Sequence, residues 1–218
     1  MTTTTDKKEL ERRAFLFEIR AEQDDRGNII TGRPIVYDSR TDLGAFDEVI
    51  ERGALNGADL TDVRFLVNHD ISKIPLARSR RNNGNSTMQL SVDDMGMSIV
   101  VRLDTENNAE ARALYSAVER GDITGMSFMF AIRDEEWSDI DSEHPTRRIK
   151  SISTVVEVSA VTFPAYEQTE IYARSKEALD NARSALENAR QQHGENKSVD
   201  TDELNLLKEK TKLLSKGV

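Results

Sequence analysis

The sequence predicts a mainly β protein with flanking helices, an α+β chain built on a small barrel with helices outside and a helical tail. Three observations carry this. Short apolar stretches bounded by turn residues recur from Phe15 to Phe163, about seven in number. Only one long helical stripe interrupts them. Beyond Pro164 and Tyr172, proline and aromatic residues stop, and Ala, Glu, Lys, Arg, Asn and Leu take over.

The elements follow in order. Phe15-Leu-Phe-Glu-Ile-Arg-Ala alternates apolar and polar, placing Phe15, Phe17 and Ile19 on one strand face. Asp25-Arg-Gly-Asn is a turn, and Ile29 to Tyr37 is a strand interrupted at Gly32 and Pro34. Val63 to Val67 is a further short strand. Arg81-Asn-Asn-Gly-Asn-Ser is a turn before the strand Met88 to Val92. Asp93-Asp-Met-Gly then leads into Met97 to Leu103, which makes a hairpin. Glu106 to Arg120 is the body's helix, with Ala109, Ala113, Leu114 and Ala117 as its stripe and Gly121 as its stop. Thr124 to Ile132 is a strand, Asp134 to Pro145 a polar turn, and Arg148 to Ile152 and Val155 to Phe163 are the last strands.

Charge divides the chain. Residues 175–218 hold eight basic and eight acidic side chains, so the body carries the whole net charge of −9. The expected organisation is a flexible N-terminus over 1–12, one folded domain over 13–174 and a removable helical tail over 175–218. In the tail, Leu179, Ala182, Leu186 and Ala189 keep a and d spacing over two heptads. That is too short to fix a coiled coil, and a marginal solvated helix is the equal alternative.

An acidic balance of this size argues against nucleic acid or an anionic membrane as partner. Cysteine is absent, which excludes a disulfide framework, a thiol nucleophile and Cys-based metal centres. The polar start lacks the apolar core of a signal peptide, and no apolar run approaches the ~20 residues of a membrane helix. The expectation is a soluble cytoplasmic protein. No phosphate-cradling glycine loop is present, and Asp93-Asp94 lacks partners at ligand spacing, so no cofactor and no metal are expected.

Of the three histidines, His144 and His193 read as surface residues. His69 ends the apolar strand Phe65-Leu-Val, where it is either a hydrogen-bonded structural residue or a positioned general base. Ser127 lies in Gly125-Met-Ser-Phe-Met-Phe, where period 2 turns Met126, Phe128 and Phe130 to one face and Ser127 to the other. The second glycine of a nucleophile elbow is missing, which argues against an α/β-hydrolase. Glu157 sits in the apolar run Val155-Val-Glu-Val-Ser-Ala-Val. It is either an outward edge residue or a carboxylate that orients an imidazole.

His, Ser and Glu in that order carry a resemblance. With Gly32-Arg-Pro-Ile-Val-Tyr-Asp, Phe46-Asp-Glu-Val-Ile-Glu-Arg-Gly-Ala-Leu, Val67-Asn-His-Asp, Gly121-Asp-Ile-Thr-Gly-Met-Ser-Phe-Met-Phe and Glu157-Val-Ser-Ala-Val-Thr-Phe-Pro-Ala-Tyr, the chain resembles the Caudovirus prohead serine proteases from about Phe15 to Ala173. The resemblance implies a herpesvirus-protease-like β-barrel, with Ser127 as nucleophile, His69 as general base and Glu157 as the acidic third member. The herpesvirus relatives use a second histidine there, and neither His144 nor His193 lies in a matching motif. Oxyanion donors are open between amides near Gly125 and a loop after a barrel strand. The resemblance also implies a serine endopeptidase of the phage procapsid in the host cytoplasm. It would cut major capsid protein, scaffold protein and itself, with self-association among its partners. A non-enzymatic scaffolding or capsid-assembly protein is the competing class. The acidic body and helical tail suit it, but it has no need of His69 or Ser127.

Overall fold

The computed structural model describes residues 10–15, 19–162 and 183–194. Two sheets enclose the core. The larger has seven strands: β1 (Leu10–Phe15), β4 (Arg40–Asp42), β5 (Asp47–Ile50), β6 (Asp62–Val67), β7 (Ala77–Arg80), β10 (Gly125–Ser138) and β11 (Thr146–Val161). The smaller has four strands in the order β2 (Ile19–Asp24), β3 (Gly27–Val36), β9 (Gly96–Arg102) and β8 (Met88–Asp93). Ile30, Ile35, Met97 and Ile99 of the small sheet and Met126, Phe128, Phe130, Ile149 and Val158 of the large one meet in a single core cluster.

The smaller sheet follows the turn chemistry. Asp24 pairs Gly27 across a two-residue turn, and Asp93 pairs Gly96 across another. The interruption expected at Gly32 and Pro34 is a register shift between Gly32 and Ile35, where Pro34 has no N–H for the ladder. Helix α1 (Ala109–Glu119) begins at Asn108, whose side chain accepts from the amides of Glu110 and Ala111 at 2.9 and 3.2 Å. Gly121 follows its end with φ +78°.

Four expectations are corrected. The helix buries Ala111, Leu114 and Val118, while Ala109 and Ala113 are exposed. Packing on β2 and β3 selects the face that carries the bulkier residues, spaced i, i+3 and i+7. The strand expected from Phe15 to Ala21 is shared between two sheets, with Phe15 closing β1 in one and Ile19 opening β2 in the other; residues 16–18, Phe17 of the expected face among them, lie outside the described residues. The last two strands are one, β11, and the first five residues of the expected polar turn are strand, because β10 runs on to Ser138, while 139–145 remain turn. Charge pairing extends this hairpin: Lys150 pairs with Glu136, and Arg147 with Glu135.

The fourth concerns closure. No closed barrel is found among the described residues. In the large sheet β1 pairs only β10, β4 only β5 and β7 only β6, so these edges do not join. The fork arises on β11, whose start pairs in parallel with β5 and whose end pairs in parallel with β6.

A helix over 183–194, α2, lies against the body. Its Leu186 is buried with Phe46 and Ile140, Ala189 packs beside them, and the Arg190 guanidinium donates to the carbonyls of Ile140 and Ser142. Leu179 and Ala182 of the tail stripe, and the rest of the tail, lie outside the described residues.

Candidate active site

Three adjacent strands bring the site together. Ser127 stands on β10, whose partner on β11 is Ser159, with Glu157 two residues before it on the same face. On the far side of β11, Val67 of β6 pairs with Ala160, so the chain leaving β6 passes the same point. There it turns sharply. Asn68 and His69 both have left-handed backbone, φ +53° and +57°. Each such conformation costs a non-glycine residue on the order of 1–2 kcal/mol, and asparagine tolerates it best.

The turn is held by Asn68. Its amide N–H donates to the Ala160 carbonyl at 2.9 Å, its side-chain NH2 to Thr162 Oγ1 at 3.0 Å, and its Oδ1 accepts from the Thr162 amide at 3.0 Å. The His69 imidazole is thereby directed back over β11 toward β10. Strain stored beside reacting groups is a common feature of functional sites.

The structure brings all three expected residues into contact. His69 Nε2 lies 2.5 Å from Ser127 Oγ, and His69 Nδ1 is hydrogen-bonded to Glu157 Oε1. Glu157 is 2% exposed, so it is not the outward edge residue that the sequence left open, and Ser127 is fully buried. His144 and His193 are elsewhere, beside Asp47 and Asp141. Asp42, Asp47 and His144 do lie within 4.8 Å of one another, but Asp47 is already paired with Arg40 at 2.8 Å.

Sequence reasoning missed Ser159, which is fully buried. Its hydroxyl donates to Glu157 Oε2 at 2.6 Å and accepts from the His69 backbone N–H at 3.1 Å. One side chain thus fixes the carboxylate and the residue the carboxylate faces. The available signal was its spacing: a polar residue two places after Glu157 shares its strand face.

Also missed was a group of buried charges beside the serine. Ser127 Oγ lies 2.7 Å from the Arg13 carbonyl of β1 as well as against His69 Nε2, so its one hydrogen serves either acceptor but not both at once. The Arg13 side chain, 4% exposed, is paired with Glu48 of β5, also nearly fully buried, and lies over the Phe130 ring at 5.6 Å. Two residues earlier, Glu11 accepts from both terminal guanidinium nitrogens of Arg147 at 2.9 Å. Burial works against the Arg13 charge, but Glu48 and then Glu11 more than offset it and hold its pKa above the usual range. Burial likewise opposes ionisation of Glu11, yet Arg13 and Arg147 hold its pKa below the ordinary 4.5.

A depressed carboxylate pKa stabilises the docked strand above the group's free value and loses that contribution as pH falls through the docked one. Docking of β1 is therefore expected to be intact at neutral pH and to loosen below the ordinary glutamate range. Trp137 reports it, since its ring faces Arg147 at 5.7 Å and it is the chain's one tryptophan. Acid titration of its fluorescence should show a transition that Glu11→Gln abolishes. Identical titrations would remove Glu11 from this role.

A profile of the Caudovirus prohead serine proteases matches residues 16–183. The prohead protease of Enterobacteria phage HK97 is 28% identical over 171 residues, covering 76% of this chain and 69% of that protein. Among solved structures, the capsid assembly protease of bacteriophage T4 is matched at a TM-score of 0.35 and 12% identity, over 69% of this chain and 98% of that one. The family profile spans well over half of the sequence and takes in β2 to β11 with every residue of the His69 cluster, and the chain belongs to the Caudovirus prohead serine protease family.

Proposed function

We propose that Ser127, His69 and Glu157 are the catalytic triad of this serine peptidase. The single observation that carries the reading is the position of the His69 imidazole, one nitrogen on Ser127 Oγ and the other on Glu157. Ser127 Oγ attacks a peptide carbonyl while its proton passes to His69 Nε2. The C–N bond then breaks, His69 gives that proton to the leaving amine, and an acyl-enzyme remains on Ser127. Water, deprotonated by the same nitrogen, releases the acid and restores the hydroxyl. Glu157 holds the Nδ1–H tautomer throughout and stabilises the imidazolium that forms.

The substrates proposed are major capsid and scaffold proteins inside the phage procapsid, in the host cytoplasm, together with the chain itself. Family membership supports that setting, and among the described residues no helix is long and apolar enough to cross a membrane. The test is to incubate the purified chain with capsid and scaffold protein and follow all masses, with and without a fluorophosphonate. Cleavage that stops when one phosphonate attaches at Ser127 supports the reading; cleavage persisting on a fully labelled chain rejects it.

The tail is proposed as a separable part, over 175–218, that directs incorporation or self-association. Its described contact is small. Burying one leucine contributes about 1.5–3 kcal/mol, against a total of roughly 5–15 for a domain. A chain truncated after Arg174 is expected to unfold cooperatively at a Tm lower by about 3–12 °C, to cleave substrate in trans, and to enter procapsids poorly. Loss of cooperative unfolding would make α2 part of the core.

A further inference from the structure

We infer that β1 lies where a peptide substrate lies, and that the cleft takes an extended strand with an arginine or lysine at the residue whose carbonyl faces Ser127 and a carboxylate two residues before it. The inference rests on Ser127 being the nucleophile, and it adds the substrate class.

The backbone geometry comes first. β1 is an edge strand, antiparallel to β10 and paired with it from Leu10–Ala131 to Phe15–Met126. Addition of an extended segment to a sheet edge is a standard mode of peptide recognition, in which main-chain hydrogen bonds supply affinity and side-chain pockets supply choice. In this strand it is the Arg13 carbonyl that reaches Ser127 Oγ, at 2.7 Å. That contact is made to the carbonyl oxygen and is a resting one; a strand in the same register whose oxygen turns away from Oγ would present this carbon to the nucleophile.

The side chains define the pockets. Glu11 and Arg13 share one face of β1 by period 2. The body meets them with opposite charges, Arg147 for Glu11 and Glu48 for Arg13. As a scaffold device this is poor, because buried ion pairs are often matched or bettered by apolar residues of the same volume. As recognition it is selective, since a strand with the wrong charge would leave Glu48 or Arg147 facing an unpaired or like-charged group.

The cleft also tolerates exchange. Arg147 reaches Glu48 at 3.4 Å and Glu135 at 2.8 Å, so departure of β1 leaves neither body charge alone. A cavity of about 300 Å³ between Glu11, Glu135, Trp137 and Arg147 on one side and α2 on the other adjoins the acidic position of the strand. It follows that β1 competes with substrate, because Ser127 is fully buried while β1 is in place.

The test compares three capped hexapeptides on the full chain: Leu-Glu-Ala-Arg-Ala-Phe, its Arg-to-Gln form and its Glu-to-Gln form. Cleavage after arginine is expected, with kcat/KM at least tenfold above either comparator. Glu48→Gln should collapse the preference for arginine over glutamine. Arg13→Ala, which weakens the competing strand, should raise cleavage of the parent peptide several-fold. Equal rates on all three peptides, or an arginine preference that survives Glu48→Gln, overturns the inference. Fluorophosphonate labelling of Ser127 in Arg13→Ala without cleavage of the parent peptide overturns the subsite assignment alone. Absence of both labelling and cleavage overturns the triad reading on which it rests.

Discussion

Alanine at Ser127 or at His69 is expected to lower peptide hydrolysis by about 10⁶-fold, and the double variant to lose no more than either single one. The size follows from the site acting as a unit. Without Oγ no acyl-enzyme forms, and an intact His69 then has no proton to accept. Without the imidazole, a serine hydroxyl is too weak a nucleophile to gain from its position. Neither change should unfold the protein. Ser127→Ala leaves the Arg13 carbonyl without its donor, a cost of roughly 1–3 kcal/mol for a buried group, within reach of a domain whose core spans both sheets. Thermal unfolding beside peptide kinetics separates the two effects. A folded Ser127→Ala protein that hydrolyses peptide at the wild-type rate would falsify the assignment.

The parts of this architecture that could be read from the chain are those governed by local rules. Asp25-Arg and Asp94-Met became two-residue hairpin turns because each lies between alternating strands and is followed by glycine. Gly32 and Pro34 became a bulge because proline cannot donate to the ladder. Other features depend on partners remote in sequence. Asp134 to Ser138 reads as the start of a polar turn, and it is strand because Arg147, Arg148 and Lys150 arrive opposite its acidic residues. Closure of the sheet could not be judged either, since it turns on β11 changing neighbours from β5 to β6 along its length.

The site divides in the same way. Ser127, His69 and Glu157 each sit in a recognisable local setting, and the contact that unites them needs the register of β6, β10 and β11. The left-handed pair Asn68 and His69 carries no pattern beyond the asparagine. Glu11 and Arg13 fall in a run of charges, Glu9-Leu-Glu-Arg-Arg13, that reads as a solvated segment. Only the arrival of Glu48 and Arg147 from β5 and β11 gives it a face.

Glu157→Gln is expected to reduce kcat by roughly 10⁴-fold with little loss of stability. Glutamine has the shape of the carboxylate, so the strand and the buried space are kept. What changes is which atoms can meet Nδ1 and Ser159. Glu157 Oε2 accepts from Ser159 Oγ, and that oxygen in turn accepts from the His69 amide. Turning the new amide NH2 toward Ser159 would set two donors face to face unless the hydroxyl gave up its hydrogen bond and rotated. Turning it toward His69 makes Nδ1 an acceptor, which places the ring hydrogen on Nε2. That nitrogen then cannot take the Ser127 proton, and the negative charge that stabilised the imidazolium is gone as well. Ser159→Ala keeps the carboxylate and frees only one of its oxygens, so its loss should fall well short of that of Glu157→Gln. The same comparison tests the order of the network. Pre-steady-state acylation with an activated ester should slow in both variants, and far more in the first. A Glu157→Gln protein that acylates at the wild-type rate would leave a Ser127–His69 dyad and reduce Glu157 to a packing residue.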